Sequence, residues 1–172
     1  MQKVLATLHP ADLFRDPSMR LPTHRDWAKI PLILREEWPL PVPDRLVVGP
    51  ENITDFHSEQ FDDLLLKAHQ ADWIAIDTEY DPETRFLTLI GVGFRYKGQV
   101  AGFQVSCARL PRWAKGFLEG TVKTLVNDIP TVYQNSIGAE LPVLKKNFGI
   151  EYKDHKQIDD TMLAHAVLWS DW

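Results

Sequence analysis

Apolar residues change their spacing several times along this chain, and each change predicts a separate element of secondary structure. Ser58 is followed by apolar residues three and four positions apart up to about His69, which predicts a capped amphipathic helix. Residues 73–76 form an unbroken apolar run, which is typical of a strand covered on both faces. Residues 85–96 and 99–105 are rich in β-forming residues and flank a short turn signal, so they predict a hairpin.

The remaining segments alternate between helix and strand patterns. A helix over residues 110–127 is predicted to bury Trp113, Phe117, Val122 and Leu125 along one face. After it the pattern predicts a short strand at 131–133, a helix at 140–148 that ends before Gly149, a strand at 157–159 and a last helix from Thr161 to Trp169. A hairpin followed by this alternation predicts an α/β fold with a mixed five-stranded sheet flanked by helices.

Residues 1–56 differ in composition from the rest of the chain. Eight of the twelve prolines fall in this segment, and Pro-x-Pro spacing between Pro39 and Pro43 favours extended chain. No long amphipathic period survives between these prolines. We therefore divide the chain into a proline-rich N-terminal extension, residues 1–56, and a main domain, residues 57–172.

The composition restricts where the protein acts. Cys107 is the only cysteine, so no internal disulfide is possible and a reducing, cytoplasmic setting is expected. We expect Cys107 to be a packed residue just past a strand end and not a nucleophile. The apolar stretches are too short for a signal peptide or a membrane span, so no membrane partner is expected.

The net charge of −5 bears on binding to nucleic acid. A domain that binds a polyanion through a broad electrostatic surface is usually basic. The acidic balance leaves two alternatives. Either the chain has no polyanionic partner, or it holds phosphate through bound cations, which require carboxylate ligands.

Two acidic residues follow the apolar run at 73–76. Asp77 and Glu79 are two apart in a predicted strand, so their side chains project to the same face. Like charges held this close favour a cation between them, and oxygen ligands suit Mg²⁺ or Mn²⁺. The alternative is a strand end with solvated acids. A calcium loop is excluded because its sixth position would be Pro82 and its twelfth Thr88.

Three segments of the chain resemble motifs of one nuclease superfamily. The stretch 74–79, followed by 89–94, resembles the first motif of DnaQ-like 3′–5′ exonucleases, and is particularly like the proofreading domains of family A DNA polymerases. Residues 133–135, 140–144 and 148–150 resemble the second motif and its helix. Residues 160–165 look like the Asp-Thr-Met-Leu segment of those polymerases and of ribonuclease D. The order and spacing agree over residues 71–169.

The resemblance implies a ribonuclease H-like fold and two-metal hydrolysis of the 3′ end of single-stranded DNA. The matching positions imply that Asp77, Glu79 and Glu140 are the catalytic residues and ligands of Mg²⁺ or Mn²⁺. The family positions that contact the terminal nucleotide correspond to Thr78, Gln134 and Asn135. The polymerase portion of a longer protein is the second implied partner, and Asp160 is expected to cap the last helix.

The chain departs from the polymerase pattern in two places. The acid of the second motif is Glu140, since the polymerase position is Ala139, and this spacing looks more like ribonuclease D. The third motif, which holds a final Asp, would lie beyond Trp172, so we expect a truncated, weak or inactive exonuclease domain. Two alternatives therefore stay open: a ribonuclease D-like enzyme that trims RNA 3′ ends, and a catalytically silent DnaQ-fold scaffold or binding module.

Overall fold

A computed structural model describes residues 44–168, with side chains to Ala164, together with Trp27, Ala28, Ile30 and Pro31. Most of the proline-rich extension and the end of the last predicted helix lie outside the described residues. Among the described residues no helix is long and apolar enough to cross a membrane.

Six strands and four α-helices follow one another over residues 44–168. The strands are β1 (Asp44–Val48), β2 (Ile74–Tyr80), β3 (Leu87–Tyr96), β4 (Gln99–Ser106), β5 (Thr131–Tyr133) and β6 (Ile158–Asp160). The helices are α1 (Glu59–His69), α2 (Arg112–Asp128), α3 (Leu141–Phe148) and α4 (Thr161–Leu168). Two short 3-10 helices, Pro50–His57 and Tyr152–Asp154, and a π-helical turn, Ser136–Glu140, join them.

The strands form one mixed sheet in the order β1-β4-β3-β2-β5-β6. Strands β2, β3 and β4 are antiparallel neighbours, whereas β5 runs parallel to β2 and β6 runs parallel to β5. Strands β3 and β2 are the two central strands of the sheet, and β2 pairs with β3 on one side and with β5 on the other. The α/β class and the mixed sheet flanked by helices that the sequence predicted are confirmed.

The sheet has six strands where the sequence predicted five. The additional strand is β1, which pairs parallel with β4 in a register that joins Leu46 to Phe103. Leu46 and Val48 are buried, so β1 contributes to the core although the sequence analysis placed it in the extension. A five-residue strand between Pro43 and Pro50 is too short to show a clear alternation among so many prolines.

The core lies between one face of the sheet and helices α1, α2 and α3. Helix α1 begins after Ser58, whose hydroxyl accepts a hydrogen bond from the backbone N–H of Phe61 at 3.2 Å, as the sequence predicted. From α2, Val122 and Leu125 are buried as expected. Trp113, however, is 48% exposed.

The prediction for the first half of α2 was therefore wrong. Ala114 and Leu118 face the sheet, and Phe117 lies at the boundary with solvent. Residues 114, 118, 122 and 125 are four, four and three positions apart, the spacing that keeps residues on one face of a helix. The aromatic ring of Trp113 instead stacks on the imidazole of His57, with ring centroids 5.4 Å apart.

Candidate active site at strand β2 and the turn after β5

Strand β2 separates its polar residues from its apolar ones. Ile74, Ile76 and Thr78 point into the core, whereas Asp77 and Glu79 are exposed on the opposite face. This is the common face that the two-residue spacing predicts for the carboxylates. The expectation that β2 is covered on both faces was wrong for the described part of the chain, because burial alternates along the strand.

The π-helical turn Ser136–Glu140 positions the third predicted carboxylate. The backbone oxygen of Asn135 accepts hydrogen bonds from the N–H groups of Ala139, at 3.0 Å, and Glu140, at 3.3 Å. The backbone N–H of Asn135 donates to Oε2 of Glu140 at 3.2 Å, so the side chain folds back over its own turn. Glu140 is only 3% exposed. The turn therefore buries a carboxylate at the end of β5.

Burial and neighbouring charge both act on Glu140. Burial is the main cause that raises the pKa of this carboxyl group, and the negative charges of Asp77 and Asp160 raise it further. The hydrogen bond from Asn135 acts in the opposite direction but does not cancel them. The structure thus places Glu140 within electrostatic range of Asp77.

The acidic side chains of the site have no basic partner in the described chain. Within residues 44–164 the ion pairs join other residues, and none involves Asp77, Glu79 or Glu140. Oxygen ligands with uncompensated negative charge have the chemistry that Mg²⁺ and Mn²⁺ require. The donor set therefore fits a hard divalent cation.

The three carboxylates have suitable chemistry for a metal site, but they do not lie close enough together to form one. Among the described residues, no three His, Cys, Asp or Glu side chains form a group that could hold a metal ion. Asp77 and Glu79 share one face of β2 and Glu140 lies in the turn after β5, but the three do not form one cluster. A cation bound between Asp77 and Glu140 would need Glu79, water or substrate to complete its ligands.

The three predicted nucleotide-contacting residues lie in different surroundings. Thr78 is buried on the core face of β2, opposite the carboxylates, and its Oγ1 has no hydrogen-bond partner. Asn135 uses its side-chain Oδ1 to accept a hydrogen bond from the N–H of Gly138 at 3.1 Å. Only Gln134 presents an exposed side chain on the same side as Asp77. The structure therefore brings Gln134 and Asp77 together and leaves Thr78 apart.

A groove of about 470 Å³ runs across the open face of the sheet next to Asp77. Its floor contains Ala75, Gly91 and Gly93, and Gln134 lies along its edge. A Cβ atom added to either of these glycines would meet no atom within 4 Å. The glycines are therefore not required by packing within the described fold, and they leave the backbone of β3 open to close approach.

Two polar links near the site were not anticipated from the sequence. Asp160 Oδ2 accepts hydrogen bonds from the backbone N–H and the hydroxyl of Ser136, at 2.7 and 2.6 Å. Tyr133, at the end of β5, is hydrogen-bonded to His155 at 2.7 Å between Oη and Nε2. Each link joins residues about twenty positions apart, and no local spacing indicates such a pair.

No protein-family model and no curated protein matches the sequence. Several solved structures superimpose on part of it, including two RNase D enzymes and a Nibbler EXO domain. Escherichia coli RNase D, an exoribonuclease involved in structured RNA processing, is 16% identical with a TM-score of 0.45, over 72% of this chain and 28% of that one. Trypanosoma brucei RNase D is 16% identical with a TM-score of 0.49, over 69% and 38%. The Aedes aegypti Nibbler EXO domain is 15% identical with a TM-score of 0.43, over 74% and 58%. The chain spans less than two thirds of the length of each of these three structures.

Proposed function

We propose that this chain carries the phosphodiester-hydrolysing site of a 3′–5′ exonuclease that acts on single-stranded nucleic acid. One observation carries the proposal: Asp77, exposed at β2, lines one open groove with Gln134, which leads into the turn that buries Glu140, and neither carboxylate forms an ion pair within the described residues. An exposed Asp77 beside an open groove can meet a phosphate only if cations offset the repulsion between the two anions.

Each acidic residue has a distinct place in the proposed site. Asp77 and Glu140 would hold the divalent cation, and Glu79 would complete its ligands from the same face of β2. A bound divalent cation supplies Lewis-acid activation and a lowered pKa of water. The N–H of Asn135 fixes the carboxylate of Glu140, and the exposed Gln134 is available to orient the terminal nucleotide.

The spacing of the second motif favours RNA over DNA as the substrate. Glu140 lies five residues after Asn135, which resembles ribonuclease D, whereas the polymerase pattern places an Asp at the position of Ala139. We therefore propose trimming of RNA 3′ ends, and retain proofreading-type hydrolysis of DNA 3′ ends as the alternative. Matched RNA and DNA oligonucleotides of one sequence separate the two.

The decisive experiment follows the cleavage of 5′-labelled single strands with Mg²⁺ or Mn²⁺. The protein should shorten the strand from its 3′ end, and Asp77→Asn and Glu140→Gln should each reduce the rate by about 100-fold or more, since removing even an outer-shell partner of a metal ligand costs 10- to 100-fold. Asp72→Asn is the matched control, because Asp72 is exposed before β2 and lies outside the groove. Equal rates for all three variants would refute the proposal.

A second candidate is a catalytically silent module of the same fold. It is favoured by the absence, among the described residues, of a three-carboxylate group, and by the hydrogen bond that already engages Glu140. Titration with Mn²⁺ discriminates between the two. A ligand that binds only the folded state stabilises it by about 2.7 kcal/mol at 100 times its Kd. An unchanged melting temperature together with no cleavage would favour the silent module.

A further inference from the structure

A solvent-exposed apolar surface lies on the outer side of the turn that carries Glu140. Ile137 is 70% exposed and Tyr152 is 71% exposed, and together with Leu141 and Pro142 they border a cavity of about 560 Å³. Exposed apolar side chains that cluster in this way mark interaction sites more often than scattered ones do. Ile137 and Glu140 belong to the same π-helical turn, so this surface adjoins the candidate site.

Two lysines border the same cavity as Tyr152. They are Lys145 and Lys153, and their side chains are 66% and 76% exposed. Glu151 pairs with both, at 2.9 Å from the ammonium of Lys145 and 3.4 Å from that of Lys153. Two ammonium groups share one carboxylate, so the surface is locally positive although the chain as a whole is acidic.

We infer that this surface, formed by Ile137, Leu141, Pro142, Lys145, Tyr152 and Lys153, binds a nucleotide of the single strand upstream of its 3′ end. A base would stack on the ring of Tyr152 and an adjacent phosphate would contact the two lysines. The inference rests on the proposed function, because the Glu140 turn separates this surface from the groove. Aromatic rings beside basic side chains are the usual means of binding single strands without sequence preference.

A nucleic acid fits this surface better than an acidic peptide does. A peptide carboxylate would use the lysines but would leave the exposed ring of Tyr152 without a matching π-face. A nucleotide supplies both a planar base and a negative charge within one unit of the strand, which matches an aromatic ring and two ammonium groups that border one cavity.

Binding is measured by the fluorescence anisotropy of a 5′-labelled oligo-U strand of about ten nucleotides, in EDTA to prevent cleavage. Tyr152→Leu keeps apolar volume but removes the π-face, so it should weaken binding by about tenfold. Tyr152→Phe keeps the ring and should bind like the unmodified protein. Equal affinity for Tyr152→Leu and the unmodified protein would overturn the inference.

The lysine contribution has a matched control on α2. Lys153→Glu should weaken binding and lower its dependence on salt, because a phosphate contact is lost. Lys123→Glu changes the net charge by the same amount, and Lys123 likewise pairs with a glutamate, Glu119, at 2.7 Å, but it does not border the cavity. An equal loss in both variants would assign the effect to total charge and would overturn the inference.

Failure of the surface and failure of the active site give different results. If Asp77→Asn abolishes cleavage while Tyr152→Leu changes neither affinity nor cleavage of long strands, only the surface is refuted. If Tyr152→Leu weakens binding while no strand is cleaved, the surface stands and the hydrolytic site fails. Cleavage of a dinucleotide, which lacks the upstream part of the strand, should be the same in Tyr152→Leu and in the unmodified protein.

Discussion

Asp160 and Ser136 join the first turn of α4 to the turn that follows β5. Asp160 Oδ2 accepts hydrogen bonds from the N–H and the hydroxyl of Ser136, and its Oδ1 accepts one from the backbone N–H of Leu163 at 3.0 Å. The last bond confirms the predicted helix cap. Burial tends to raise the pKa of Asp160, but these hydrogen bonds outweigh it and the pKa lies below its ordinary value. One carboxylate thus holds α4 against the segment that carries Glu140.

Replacing Asp160 by alanine should destabilise the protein. The substitution removes a helix cap and leaves the backbone N–H and the hydroxyl of Ser136 without their acceptor. The free energy of unfolding should therefore fall by about 1–2 kcal/mol. Urea denaturation followed by circular dichroism measures the change. Asp159→Ala is the control, because Asp159 is exposed and should alter stability by about 0.5 kcal/mol or less. Similar losses in both variants would contradict the role of Asp160.

Two glycines should respond to alanine in opposite directions. Gly149 ends α3 with a φ of 65°, which an L-residue adopts only at a cost, so Gly149→Ala should destabilise the protein by about 1 kcal/mol. Gly116 lies inside α2, where an added Cβ would meet no atom within 4 Å. Gly116→Ala should therefore stabilise the protein by about 0.5–1 kcal/mol. Thermal denaturation of both variants tests the pair, and a shift of the same sign would contradict the prediction.

His155 should make stability depend on pH. Burial lowers the pKa of its imidazole, while Asp154 and the backbone oxygen of Glu151, which lies 2.9 Å from Nδ1, act in the opposite direction. As the pH falls, the imidazole of His155 in the unfolded chain, whose pKa is about 6.5, takes up a proton before the imidazole in the folded chain does. The contribution of His155 is therefore fully present above about pH 6.5 and declines as the pH falls toward the lower pKa of the folded state.

The measurement compares the unmodified protein with His155→Asn, which keeps a donor for the oxygen of Glu151. Urea denaturation between pH 5 and pH 8 gives the free energy of unfolding of both. The unmodified protein should lose more stability on acidification than the variant, since other titrating groups are common to both. Parallel curves would show that His155 does not contribute.

Cys107 should be unreactive while the protein is folded. The thiol lies just past β4, as the sequence predicted, and its Sγ contacts the backbone oxygen of Val105 at 3.6 Å. Burial raises its pKa to about 12, and the nearby charge of Lys115 only partly offsets this. The reaction with a disulfide reagent at pH 8 should be on the order of a thousandfold slower than in urea, because an unfolded thiol has a pKa of about 8.5. Equal rates would contradict this prediction, and the single cysteine makes the signal unambiguous.

The features that the sequence predicted correctly are those that depend on local spacing. The cap at Ser58, the end of α3 at Gly149 and the common face of Asp77 and Glu79 each involve residues within a few positions of one another. The backbone geometry of a helix or a strand determines those relations directly. The pairing of β1 and the exposure of Trp113 were missed, because each depends on a partner surface distant in sequence.

The amino-acid sequence by itself determined the order of strands and helices from α1 onward, the acidic pair of β2 and the absence of an internal disulfide. Only the tertiary structure decided that Glu140 is buried within electrostatic range of Asp77, that Thr78 points away from both, and that Tyr152 and Ile137 meet around one cavity. The physical reason is that periodicity fixes the direction of a side chain relative to its own backbone. Its neighbours from other segments are fixed by how the sheet and helices pack together.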